Sequence, residues 1–185
     1  GQGIGLCRTE HMFFETERMP VVQRMILAKD DPAVVAECLA TLLAHQREDF
    51  YGLFKAMDGL PVIVRLIDPP LHEFLPGHLE VAMEVEKLEE SGADPAALAE
   101  RRHVLTAIER LQESNPMLGL RGVRLGIHMA ALTRMQVRAI FEAAAASLKK
   151  GVDVKPEIMI PLVGTLKEFT ELRERVRAVG AEVEK

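Results

Sequence analysis

Short apolar runs alternate along this chain with longer stretches in which apolar residues recur every three or four positions. That alternation is the pattern of βα units feeding a parallel sheet. Four runs read as strands: Gly3 to Arg8, Pro61 to Ile67 (stopped by Asp68-Pro69-Pro70), Leu120 to Ile127, and Glu157 to Val163. Asp31-Pro32 predicts a helix start, and the apolar spacing from Val34 through Leu42 to Phe54 carries that helix toward Gly59. Asp94-Pro95 repeats the signal for a helix through Leu98, Leu105 and Leu111. A further helix is expected from about Leu132 to Lys150, closed by two lysines and Gly151. The last runs from about Thr165 to Val179, and Glu168 stands where a capping box needs it.

Residues 71–116 read as an enlarged connection, a Glu-rich helical hairpin turning near Ser91-Gly92. Loops after strands carry function in α/β folds, so the hairpin could wall a site. Its acidic face, Glu80 to Glu90, is read as solvated surface. Four strands are too few to close an eight-stranded barrel, and an open parallel sheet would expose unpaired edges.

Composition narrows the function classes. The chain has 185 residues, 48% hydrophobic and 28% charged, enough for one ordinary domain with a core. A formal net charge of -5 argues against nucleic-acid binding, which needs a basic face. No apolar run approaches the roughly 18 residues that span a bilayer, and the opening residues are not expected to be a basic-then-apolar leader. Gly1-Gln2-Gly3-Ile4-Gly5-Leu6 reads as the middle of a strand, so a piece cut from a longer chain is expected. The two cysteines, Cys7 and Cys38, make no disulfide framework and suit a reducing cytoplasm. Cys38 lies at helical spacing among apolar residues and is read as packing. Cys7 is read the same way, with a thiol activated by Arg8 as the alternative.

The arginines are the chemical signal. Arg8 ends the first run, Arg65 interrupts the second, and Arg121 and Arg124 flank Val123 in the third. Guanidinium groups are rarely buried without a partner. Three strands with Arg at or near an end suggest a shared phosphate or carboxylate, which the planar guanidinium binds through paired donors. The alternative is local ion pairing, Arg8 with Glu10 and Arg65 with Asp68. Other motifs fail. The opening Gly-rich run lacks its last glycine and does not enter a helix, His72-Glu73 is followed by Pro76 where a second His is required, and no Walker-type loop or catalytic triad is present.

Four blocks, in order and covering essentially the whole chain, resemble the signatures of pyruvate, phosphate dikinases. They are Gly3-Ile4-Gly5-Leu6-Cys7-Arg8-Thr9-Glu10-His11-Met12-Phe13-Phe14, the stretch from Arg65 to Pro76, the stretch from Asn115 to Gly126, and the stretch from Pro156 to Val163. The related phosphoenolpyruvate (PEP) synthases and phosphotransferase enzyme I share the Gly-Leu-x-Arg-Thr-Glu core but usually lack Asp-Pro-Pro-Leu-His-Glu-Phe, so residues 68–74 favour the dikinase. His128-Met129-Ala130-Ala131 departs from the family's usual helix start, which bears on a helix cap and not on the arginines.

The resemblance implies an α/β fold forming part of a (β/α)8 TIM barrel, with residues 1–185 a partial PEP/pyruvate-binding domain and 71–116 a helical insertion. It implies Arg8, Arg65 and Arg121 as substrate-binding arginines, with the reach of Arg124 left open. It implies phosphoryl transfer from a phosphohistidine, with ATP, pyruvate and phosphate giving AMP, PEP and diphosphate in the parent enzyme. Magnesium ligands, the proton-donating cysteine and the phosphohistidine belong to family blocks absent here. The chain alone is therefore expected to be inactive and to hold no metal. Expected partners are the phosphohistidine and nucleotide-binding domains and further copies of the chain, with no nucleic acid and no membrane. A synthase or enzyme I fragment, or a non-catalytic anion-binding module, are the other readings.

Overall fold

The computed structural model describes residues 1–92, 94–111 and 119–185. Its centre is a parallel three-stranded sheet in the order β1 (Ile4–Arg8), β2 (Pro61–Arg65), β3 (Lys155–Met159). Helices α1 (Met19–Leu27) and α2 (Pro32–Ala56) lie between β1 and β2. Between β2 and β3 come α3 (His78–Ser91), α4 (Pro95–Leu111), α5 (Gly122–His128) and α6 (Ala130–Lys149), and α7 (Leu166–Val183) follows β3. No described helix is long and apolar enough to cross a membrane.

Strand alternation divides the sheet into two unlike faces. Val62, Val64 and Leu66 are buried against Phe50 and Phe54 of α2, Ile140 and Ala143 of α6, and Val179 of α7. Each large apolar side chain buried this way contributes about 2 kcal/mol. The residues between them face the other way and have less cover: Leu6 and Met159 are exposed, and Ile63 is half-buried. A second cluster joins Phe13, Met25, Leu42, Phe74, Val81, Ile108 and Leu132, tying α1 and the α3–α4 pair to α2 and α6. Glu84 and Glu89 of α3 meet Arg101 and Arg102 of α4 at 2.5 and 2.6 Å, so part of the acidic face is paired across the hairpin.

The run Leu120 to Ile127, expected as a strand, is helical instead. Gly122, Val123, Leu125 and Gly126 are buried while Arg124 and His128, four residues apart, are exposed, so the run has helical rather than alternating period once it is folded. Gly126 permits the close fit: a Cβ there would lie 3.0 Å from Leu172 of α7 and 3.0 Å from Thr133 of α6. The sheet among the described residues therefore has three strands rather than four. The last expected strand is shorter than its apolar run, because the chain leaves the sheet after Met159 and Leu162 takes a positive φ of 54°. Residues 112–116 of the expected insertion, with Asn115 to Leu118 of the third block, lie outside the described residues. The sequence pattern did not single out α1, whose N-cap Arg18 makes no side-chain cap and whose start is marked only by Pro20 in its first turn.

Capping explains the best-defined boundaries. Asp31 accepts from Ala33 N and Val34 N at the start of α2. At α7, Thr165 Oγ1 accepts from Glu168 N while Glu168 accepts from Gly164 N and Thr165 N, a complete capping box. By contrast α6 begins at Met129 without a side-chain cap, at the His128-Met129 departure. The Gly164 N–H, helped by Arg124, holds the Glu168 carboxyl below its ordinary range. A depressed carboxylate stabilises the fold above its unfolded value, and that contribution disappears as pH falls through the lowered one. Thr165→Ala should lower stability by about 1 kcal/mol at neutral pH. Urea unfolding checks this, and the contribution of Glu168 should fade only in acid.

Candidate functional site

The C-terminal ends of β1 and β2 bring two arginines side by side. Arg8 and Arg65 are Cα partners in the parallel register, as are Cys7 and Val64 one position earlier. Val64 faces the helices, so Arg8 and Arg65 share the open face. Arg8 is exposed, whereas the Arg65 side chain retains only 18% of its accessible surface.

Removing a guanidinium from water costs several kcal/mol unless carboxylates and hydrogen bonds compensate. Two carboxylates do so for Arg65. Its Nη1 lies 3.2 Å from Asp68 Oδ2, and its Nη2 donates to Glu10 Oε1. Arg121 Nη2 donates to the same Asp68 oxygen at 2.8 Å. Two guanidinium groups thus converge on one buried carboxylate, and Arg8 stands at the neighbouring strand end. Glu10 Oε2, Asp68 Oδ1 and Arg65 Nε are buried without a hydrogen-bond partner among the described residues, so the network keeps unused donors and acceptors.

Backbone contacts set this geometry. After β2, Asp68 O accepts from Gly122 N at 3.0 Å, and after β3, Pro161 O accepts from Val123 N at 2.9 Å. The start of α5 is thereby pinned to both strand ends, with Arg121 extended at its N-cap. Arg121 reaches the site from a helix start rather than from a strand, which corrects the strand placement. From the other side of the sheet, Gln136 Oε1 of α6 accepts from Ile67 N at 2.8 Å and fixes the segment between Arg65 and Asp68. Thr9 Oγ1 donates to Arg65 O at 2.8 Å.

Of the two local pairings weighed from sequence, Arg65 with Asp68 is present. Arg8 with Glu10 is not. The chain turns into a 3-10 turn at Thr9–Met12, which carries Glu10 away from Arg8 and over to Arg65. Arg124 points elsewhere, to Glu168 at the start of α7 at 3.3 Å. Cys38 is buried in the apolar cluster. Burial, with Glu10 beside it, pushes the Cys7 thiol up, so Arg8 does not activate it. Sequence reasoning gave Glu10 the wrong partner and missed Gln136 and the double use of Asp68. The Asp-Pro-Pro stop after β2 marked Asp68 and the Arg-Thr-Glu block marked Glu10, while nothing in the sequence pattern marked Gln136.

Among the described residues, no three His, Cys, Asp or Glu side chains group so as to hold a metal ion. The buried carboxylates at this end, Glu10 and Asp68, are already engaged by arginines. These residues do not by themselves suit magnesium. What they can do is present fixed positive charge to an anion at the mouth of a parallel sheet, the place where α/β folds bind ligands.

A family model described as "PEP-utilising enzyme, PEP-binding domain" matches residues 1–185, and the chain belongs to that family. More particularly, it is 53% identical over 183 residues to pyruvate, phosphate dikinase 1, chloroplastic, of Arabidopsis thaliana. It is 52% identical to the chloroplastic pyruvate, phosphate dikinase of Flaveria trinervia and 52% identical to pyruvate, phosphate dikinase 2 of Zea mays. Each alignment covers 98% of this chain but only 18 to 20% of the relative, so the chain spans about a fifth of their length.

Gly122 is the residue on which the convergence turns. Its φ is +56°, and a Cβ there would stand 2.9 Å from Leu162 Cβ and 3.0 Å from Pro161 O. Gly122→Ala should therefore destabilise the fold by about 1–3 kcal/mol from the positive φ alone, with the clash adding to it. A fall in the denaturation midpoint with an unchanged denaturant slope is the expected measurement.

Proposed function

We propose that this chain is part of the domain that binds phosphoenolpyruvate and pyruvate in a pyruvate, phosphate dikinase, and that Arg8, Arg65 and Arg121 bind the substrate anion. The observation that carries the reading is the meeting of Arg65 and Arg121 on one oxygen of Asp68 beside Arg8, in a chain about half identical to such dikinases. In the parent enzyme a phosphohistidine would supply the phosphoryl group, ATP and phosphate would recharge that histidine, and the pyruvate enolate oxygen would attack phosphorus. The arginines would hold the carboxylate and phosphoryl oxygens and offset charge that grows during the attack, without exchanging a proton.

Three parallel strands joined through helices, with one face covered, support a place within a (β/α)8 barrel whose inner face is the open one. Magnesium belongs to the proposal only for the whole enzyme, and no step runs through it here. The unpaired thiols Cys7 and Cys38 support the expected reducing, cytoplasmic setting.

In the full-length enzyme, Arg65→Ala should lose on the order of 3 kcal/mol or more of transition-state stabilisation, a loss above a hundredfold in kcat/KM for pyruvate or PEP. A rate near wild type would refute the assignment. Dependence of the forward reaction on inorganic phosphate would separate a dikinase from a synthase. The 185-residue chain by itself should self-associate through its open sheet face and edges. Sedimentation as a stable monomer would count against that.

A further inference from the structure

Resting on the assignment of Arg65 to the bound anion, we propose that Glu10 is a positioning residue that sets the plane of the Arg65 guanidinium for phosphoryl transfer. A planar guanidinium held at one nitrogen can still pivot about that contact. Held at Nη1 by Asp68 and at Nη2 by Glu10, it cannot. These two contacts engage both terminal nitrogens, and Nε is buried without a partner among the described residues.

Asp68 is a poor sole anchor, because the same oxygen also accepts from Arg121. Any shift of Arg121 toward an anion would move Asp68 and Arg65 together. Glu10 binds the other terminal nitrogen, Nη2, with a separate carboxylate, and can hold Arg65 while Asp68 yields.

Glu10 is itself held by the turn in which it lies. It lies in the 3-10 turn that continues β1, is 8% exposed, and its carbonyl accepts from Phe13 N at 3.0 Å. Phe13 is buried against Phe74. The far end of the turn is fixed by Arg18, whose Nη1 donates to Met12 O at 2.7 Å while its Nη2 donates to Asp49 of α2 at 2.9 Å. Next to Glu10, Thr9 is fully buried and its hydroxyl holds the Arg65 carbonyl. The dipeptide Thr9-Glu10 therefore grips Arg65 at both backbone and guanidinium, from a turn anchored on α2. Arg8, the residue before it, stays free to face the ligand from the adjacent strand.

This arrangement predicts a separation of kcat from KM. Glu10 is negative, so removing it should not weaken attraction of an anion. It should let Arg65 turn away from the geometry the transition state needs. In the full-length enzyme, Glu10→Ala should lower kcat with pyruvate or PEP by about tenfold or more, while the KM for that substrate changes by less than about threefold. Glu10→Gln keeps an acceptor oxygen at the same reach and should recover kcat to within about threefold of wild type. The partial reaction of ATP and phosphate, which does not use Arg65, serves as the internal control and should be unaffected.

A purely structural ion pair would lower the melting temperature equally in Glu10→Ala and Glu10→Gln and leave kcat unchanged below it. That result would overturn the proposal. If Glu10→Ala does not fold, Glu10→Asp, which withdraws the carboxylate by one methylene, carries the test: the same loss of kcat is expected, and a wild-type kcat overturns it. An inactive Arg65→Ala beside a fully active Glu10→Ala would sink the role of Glu10 alone. An active Arg65→Ala would sink the substrate assignment and the role of Glu10 with it.

Discussion

The single oxygen of Asp68 that receives both Arg65 and Arg121 is the contact on which the candidate site depends. The two donor nitrogens lie 3.2 and 2.8 Å from that oxygen, so they are at most about 6 Å apart, and like charges at that separation repel by about 3 kcal/mol at an effective dielectric near 20. Each attraction to the carboxylate, at roughly 3 Å, is worth about 5 kcal/mol on the same scale, so the shared oxygen outweighs the repulsion. Glu10 supplies the second negative charge and balances Arg65 from the other strand end. Arg8 sits outside this balance, exposed at the register position next to Arg65. The end of the sheet is thus neutral where it is buried and positive where it is open. An anion would be drawn to it without requiring the protein to bury uncompensated charge in its absence.

The same contact explains why the loops after the strands are so tightly specified. Asp68 uses its side chain for Arg121 and its backbone carbonyl for Gly122, so one residue after β2 holds both the charge and the start of α5. Pro161 after β3 holds the next amide of that helix. The cost is local strain: Gly122 and Leu162 both adopt positive φ where they pass each other. Strained backbone next to converging charges is common where a site must be held rigid. Behind the loops, the buried Gln136 provides the acceptor that Ile67 N would otherwise lack, linking the site to the helical layer. Arg175 of α7 closes the other end of α5 by donating to Gly126 O and Ile127 O.

The division of the sheet into a covered and an open face gives the fold its functional direction. The covered face packs Phe50, Phe54, Ile140 and Val179, and this core keeps β1, β2 and β3 in parallel register. The open face carries the two strand-end arginines and few apolar contacts of its own. The α3–α4 pair stands beyond the same end of β2, bound to the body through Val81, Val104 and Ile108.

Much of this was legible in the residues themselves. Asp31-Pro32, Thr165 with Glu168, and the apolar spacings between them determined three long helices, because caps and helical periodicity are local and act within a few residues. The short runs around Leu6, Val62 and Ile158 determined three strands, and the blocks around Arg8 and Arg65 marked the candidate site. Tertiary structure decided what local pattern could not. Leu120 to Ile127 became a helix start because Asp68 and Pro161, more than thirty residues away on either side, capture its first amides. Glu10 turned to Arg65 instead of Arg8 because β1 ends in a 3-10 turn beside β2. Arg65 with Asp68, three residues apart, was readable from spacing; the pairing of Glu10 with Arg65 and of Arg121 with Asp68 is a property of elements brought side by side.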